Sequence, residues 1–255
     1  MKINIEKAKE EFLKYTENYD LTDGKLKYKQ EHSLKVMEVS RQIAQGLQLS
    51  EDEIELATLI GLLHDIARFE QYKQYGTFKD LQSIDHGDYA LVILEKDIRK
   101  YIETDEYDDI IKKAIKNHNK YKIEEGLNEK EELFAKIVRD ADKMDILYES
   151  AEVFWKGEEY KVEETKISPN IFEQFKNKVQ IKREKDRRVS YLEEIVFIIA
   201  FIFDINFKTS FEIIKKEDYI NKILNRYKIK DEFSKNAIEK IKTISNEFIN
   251  EKIKN

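Results

Sequence analysis

The sequence predicts an all-α protein, and three observations carry that prediction. Seven Gly and one Pro among 255 residues leave few positions that break a helix or turn a strand tightly. Apolar residues recur at spacings of three, four and seven along nearly the whole chain, which is the period of a helix face. Several of these segments begin with residues that satisfy the free N–H groups of a helix start.

In chain order, the first helix is expected over 5–17, where charges interrupt every apolar run. The second, 28–47, carries His32, Val36, Val39, Ile43 and Leu47 along one face. Ser50 followed by Glu53 reads as a capping box that starts a helix over 51–69. A helix over 84–101 holds His86, Ala90 and Ile93, and one over 107–119 holds Ile111, Ala114, Ile115 and His118. Asn128 and Glu131 repeat the capping pattern ahead of 130–153, and Ser168 before Pro169 places proline at the first position of a helix over 169–203. Two further helices are expected over 208–227 and 231–253, the last rich in Lys, Ile, Asn and Glu and amphipathic. Two stretches interrupt the pattern: Gln71 to Asp85, a loop leading into His86, and Lys156 to Ile167, a polar linker or lid. The expected organisation is a metal-binding helical core over 1–150 and a helical extension over 151–255 packed on it in one compact unit.

Composition narrows the function classes. Forty-six Lys and Arg against 52 Asp and Glu give a net charge of -6, so bulk nucleic-acid binding is not expected. The N-terminus is too polar for a secretory signal, and the longest apolar run, Ile195 to Phe203, falls far short of the roughly 20 residues that cross a bilayer. A cytoplasmic protein without membrane partners is expected, its oligomeric state open. There is no Cys, so a metal would have to take imidazole and carboxylate ligands.

The four histidines, His32, His64, His86 and His118, all lie in the first half of the chain and on apolar helix faces. One such histidine reads as a core residue bonded to a backbone carbonyl. Four, joined by Asp65 and by Asp142 on the face of Ala135 and Val138, are too many polar groups to bury without compensation, and a divalent cation satisfies them together. The donor set suits Mn, Fe, Co, Ni, Zn or Mg.

His32, then the pair His64-Asp65, then Asp142 resemble the H...HD...D pattern of the HD-domain metal-dependent phosphohydrolases, over about residues 28 to 150. The resemblance implies a helical bundle with metal at its centre and additional C-terminal helices. His86 and His118 match the extra histidines of members that hold two ions, which makes Asp65 the bridge between them. Arg68 stands where the mononuclear nucleotidase and stringent-response branches commonly have a glutamate. A fixed cation cannot act as a general base but can hold a phosphate oxygen. The resemblance implies hydrolysis of a phosphoester or phosphoanhydride in a nucleotide or small phosphorylated metabolite by hydroxide formed on one or two divalent ions. Asp65, Arg68 and Lys143 are the expected catalytic residues, and His32, His64, Asp65, His86, His118 and Asp142 the expected ligands. Lys79 is a weaker phosphate candidate, and Asp145 a candidate for orienting a ligand histidine, with Asp140 on the helix surface. Similar folds with the same six ligands also include mixed-valent di-iron oxygenases, and a metal-containing nucleotide-binding regulator is a further alternative. In the second half, Phe154, Trp155 and Tyr160 read as core or as a wall over the site. Arg183, Arg187 and Arg188 read as a solvated charged face or a phosphate contact.

Overall fold

The computed structural model describes residues 3–152, 165–182 and 187–254, and among them every regular element is helical. In order these are α1 (Ile5–Thr16), α2 (Gly24–Gly46), α3 (Glu51–Leu63), α4 (Ala67–Tyr75), a 3-10 turn (Asp80–Gln82), α5 (His86–Tyr101), α6 (Asp108–Asn117) and α7 (Glu129–Glu152). They are followed by α8 (Pro169–Lys176), α9 (Tyr191–Ile199), a second 3-10 turn (Ala200–Asp204), α10 (Lys208–Lys216), α11 (Tyr219–Leu224) and α12 (Glu232–Lys254). The chain divides into two compact units, Met1–Asp142 and Lys143–Asn255, the division falling inside α7.

In the first unit α3 is the central helix. Every residue from Ile54 to Leu63 is buried, including Glu55, whose carboxylate is held by Arg41 at 3.1 and 3.4 Å. A helix apolar on all sides must be wrapped by others, and α2, α1 and α6 pack on it. Leu56, Leu59, Ile60, Leu62 and Leu63 are essentially inaccessible, and each such side chain contributes about 1.5–3 kcal/mol of burial. Phe12 of α1 and Phe69 of α4 meet edge to face at 6.0 Å beside this core. The capping boxes expected at the starts of α3 and α7 are present: Glu53 accepts from the Ser50 N–H at 3.1 Å, and Asn128 and Glu131 exchange bonds of 2.9 and 3.0 Å.

The second unit is built on α12, against which α8, α10 and α11 pack. Phe175, Phe203, Phe248 and Phe211 form a chain of ring contacts at 4.9 to 5.9 Å. Glu193 caps α9 by accepting from the Ser190 N–H and also binds Arg187 at 2.9 Å. Arg187 is therefore engaged within this unit, whereas Arg188 is exposed. Phe154, Trp155, Tyr160 and Arg183 lie outside the described residues, as does most of the expected linker.

Three expected helices are divided. The stretch 51–69 breaks at His64–Ile66, where the Ile66 N–H turns to the Leu63 carbonyl and the Arg68 N–H to the Asp65 carbonyl. The stretch 169–203 ends its first helix at Lys176, ahead of Lys178 at φ 54°, and restarts at the Ser190 cap. The stretch 208–227 divides at Asp218, which sits at φ 55°. Helix α2 starts four residues earlier than expected, because the Asp23 side chain accepts from the Lys25 N–H and caps it. None of the described helices is long and apolar enough to cross a membrane.

Candidate metal centre

Three helix ends, one turn and two helix interiors deliver the polar side chains of the first unit to one place. His32 comes from the middle of α2 and Asp142 from α7, while His64 follows the last residue of α3, His86 opens α5 and His118 follows α6. Asp65 sits in the turn between α3 and α4. Two glycines let these elements approach. A Cβ on Gly61 of α3 would lie 2.5 Å from Ser40 Oγ and 2.8 Å from the Val36 carbonyl of α2. One on Gly87 of α5 would lie 2.5 Å from Asn119 Oδ1 and 2.9 Å from the Lys116 carbonyl of α6.

The six side chains expected as ligands converge. His32 Nε2 lies 3.3 Å from His64 Nε2 and 3.1 Å from Asp142 Oδ1. His86 Nε2 lies 2.9 Å from His118 Nε2. Asp65 stands between the two pairs. Its Oδ2 is 3.7 Å from the Nε2 atoms of both His32 and His64, and its Oδ1 is 3.3 Å from His86 Nε2 and 3.6 Å from His118 Nε2. Two overlapping sets, His32 with His64 and Asp142, and His64 with Asp65 and His118, have their ligand atoms within 4.8 Å of one another. All six are buried except Asp142, whose side chain keeps 17% of its exposure.

The far side of three of the four imidazoles fixes which nitrogen faces inward. His64 Nδ1 donates to the Gly61 carbonyl at 2.8 Å, and His118 Nδ1 to the Ile115 carbonyl at 2.6 Å. His86 Nδ1 meets Asp80 Oδ2 at 2.6 Å. A carbonyl only accepts, so the proton sits on Nδ1 and the Nε2 lone pair points into the cluster. Burial lowers His64 to about 3 and, with Arg68 adding to it, His86 to about 4. Burial alone would raise the Asp65 carboxyl, but Lys29 and Arg68 beside it hold it well below the usual range. Asp142 is likewise held low against its burial by the hydrogen bond to His32.

These features fit a divalent cation. His86 and His118 turn lone pair toward lone pair at 2.9 Å, which is repulsive without a positive charge between them. Asp65 Oδ1 is buried and makes no hydrogen bond, although Arg68 Nε and His86 Nε2 both lie 3.3 Å away. A buried carboxylate oxygen left so is costly unless a cation takes it.

Arg68 and Lys143 have partners of their own. Arg68 Nη1 donates to Gln71 Oε1, the Phe78 carbonyl and Asp80 Oδ1 at 2.7 to 2.8 Å, so the residue ties the Asp65 turn to the following loop. Lys143 is buried, not solvated, and belongs to the second unit, where its Nζ lies 3.0 Å from Asp204 Oδ2. Lys79 precedes the 3-10 turn. Asp140, expected on the helix surface, is fully buried, as is Asp145. Periodicity does not single out Lys29, Gln71, Asp80, Asn119 or Arg139. Lys29 Nζ lies 2.7 Å from Asp65 Oδ2, and its place three residues before His32 is the signal that could have found it. Buried Gln71 donates to Asp80, Ser83 and the Ile84 carbonyl, each at 2.9 Å, and Asn119 donates to Asp80 at 3.2 Å. Arg139, 1% exposed, donates to the carbonyls of Asn117, His118 and Lys120 and so fixes the backbone that carries His118.

Residues 30–147 match the family model described as the HD domain. No curated protein and no solved structure matches the chain.

Proposed function

The chain belongs to the HD-domain superfamily through residues 30–147, and from that premise we propose that it is a metal-dependent phosphohydrolase with a two-ion centre, acting on a nucleotide or another small phosphorylated metabolite. HD-domain proteins bind divalent metals, and most are phosphohydrolases. The single observation that carries the two-ion reading is Asp65, whose two oxygens face two different histidine pairs.

In this reading His32, His64, Asp142 and Asp65 would hold one ion, and His86 and His118 with Asp65 would hold the other. When bound, the ions supply a hydroxide nucleophile near neutral pH and neutralise phosphate charge. The protein residues do the rest. The carbonyls of Gly61 and Ile115 and the Asp80 carboxylate keep the imidazole lone pairs turned inward. Arg68 fixes the Asp65 turn and adds positive charge beside the reacting phosphate. The exposed edge of Asp142 faces the entering substrate.

The test is phosphate or pyrophosphate release from nucleoside mono-, di- and triphosphates and from p-nitrophenyl phosphate, with and without manganese. Metal-dependent release that falls to background in Asp65→Ala supports the assignment. Release that Asp65→Ala leaves unchanged, or no release from any of these with any divalent metal, overturns it.

A further inference from the structure

Among the described residues, Lys29 is the one ammonium placed on the carboxylate that both histidine pairs face. It projects from α2 three residues before His32, its side chain only 14% exposed, with its Nζ 2.7 Å from Asp65 Oδ2. The same Nζ lies 5.7 Å from the centre of the Tyr28 ring and 5.8 Å from that of Phe78. Arg68 flanks the other carboxylate oxygen and also lies against Phe78, at 5.9 Å. The electron-rich ring faces favour a cation in this spot without neutralising it.

The charge balance changes when Asp65 is shared with metal. Two divalent ions bring four positive charges against the two negative charges of Asp65 and Asp142, and Asp80 balances only Arg68. An ammonium within hydrogen-bonding distance of an oxygen that ligates a dication is repelled by it, and among the described residues no second carboxylate lies on Lys29. A largely buried cation that loses its partner requires another anion.

We propose that Lys29 is an exchangeable cation: it neutralises Asp65 in the metal-free protein and passes to a phosphate oxygen of the ligand once metal takes Asp65. The anion site is then formed by Lys29 above the Phe78 and Tyr28 rings, with Arg68 on the far side of Asp65. The inference rests on the metal-centre reading above, but it concerns anion binding and not turnover.

The experiment uses the full chain, purified metal-free and reloaded with manganese, and inorganic phosphate as the probe. Calorimetry is run on wild type, Lys29→Met and Lys29→Arg. Phosphate should bind the loaded wild type, bind loaded Lys29→Met about tenfold or more weakly, and recover in Lys29→Arg. Manganese should enter metal-free Lys29→Met more tightly than wild type, because the competing ammonium is gone. Equal phosphate affinity in loaded wild type and Lys29→Met overturns the proposal, and so does phosphate binding to the metal-free wild type as tightly as to the loaded one. The last comparison needs no variant, so the proposal stays testable if Lys29→Met does not fold. Loss of phosphate binding in Lys29→Met, in a protein that hydrolyses no phosphoester, would leave Lys29 as an anion ligand and remove the hydrolase assignment alone.

Discussion

Asp80 Oδ2 lies 2.6 Å from His86 Nδ1, which makes a residue of a ten-residue connection the partner that orients a histidine of the metal centre. The same carboxylate accepts from Arg68, Gln71 and Asn119, and its acid is held well below the usual range, against its burial, by His86 and Arg68. A carboxylate behind a ligand imidazole fixes the tautomer and raises ligand basicity, and losing one typically costs about 10- to 100-fold in metal affinity. Asp80→Asn keeps the shape but places an amide where an anion is required. We expect it to weaken one of two manganese sites by that factor in calorimetry and leave the other unchanged. Equal weakening of both, or of neither, would remove the orienting role from Asp80.

His118→Ala separates one ion from two. It deletes one of the two imidazoles that face Asp65 Oδ1 and leaves His32, His64 and Asp142 with Asp65 Oδ2. Metal per chain, measured by mass spectrometry on protein purified without chelator, should fall from two toward one. A wild-type value of one that the variant preserves would take His86 and His118 out of the ligand set.

Gly61 and Gly87 play the same part in the two halves of the centre, each at the contact between helices that carry its histidines. Alanine at Gly61 would meet the Val36 carbonyl at 2.8 Å as well as Ser40 Oγ at 2.5 Å. A hydroxyl can rotate away, whereas a helix carbonyl cannot, so α2 and α3 must separate. Overpacking of this kind costs about 1–3 kcal/mol, more than the roughly 1 kcal/mol that alanine gains over glycine in a helix. Gly61→Ala should therefore lower the thermal midpoint and weaken manganese binding together. Ser40→Ala added to it should not restore either, because the carbonyl contact remains. An unchanged midpoint in Gly61→Ala would show that the contact yields without cost.

The same residues explain what the sequence made legible. The histidines and Asp142 stand on apolar faces, so helical period aims them at a core, their meeting in one centre is what the H...HD...D resemblance implies, and the capping boxes at Ser50 and Asn128 mark two helix starts. The break at His64–Ile66 leaves almost no trace, because His64 and Ile66 keep helical backbone angles and only the hydrogen-bond register changes. The apolar pattern accordingly runs on through Ile66 and Phe69. Asp80, Gln71 and Asn119 belong to loop geometry, which has no period to read. The division after Lys176 does have a signal, the Ser190 and Glu193 box, but an apolar run following it invites one long helix.

Alkaline pH should loosen the support of the Asp65 turn. Tyr15 donates from its phenol to the Ile66 carbonyl at 3.2 Å and its Oη lies 2.9 Å from Tyr19 Oη, while Tyr19 donates to Glu70 at 3.0 Å. Burial, and then the Tyr19 bond, raise the Tyr15 phenol far above its ordinary value. Burial pushes Tyr19 up to about 12. A phenol whose folded value lies above its unfolded value of about 10 contributes stability that is fully present below that pH and is lost as pH rises above it. The loss can reach about 1.4 kcal/mol per pH unit for each phenol that ionises only on unfolding. Between pH 9 and 11 the thermal midpoint of wild type should fall, and Tyr15→Phe should fall less steeply over the same interval, since it has one such phenol fewer. The variant comparison cancels the lysine ion pairs, which also weaken in that range. Equal slopes for the two proteins would mean that Tyr15 ionises as readily in the folded chain as in the unfolded one, and the phenol would then not be the group that secures the Ile66 carbonyl.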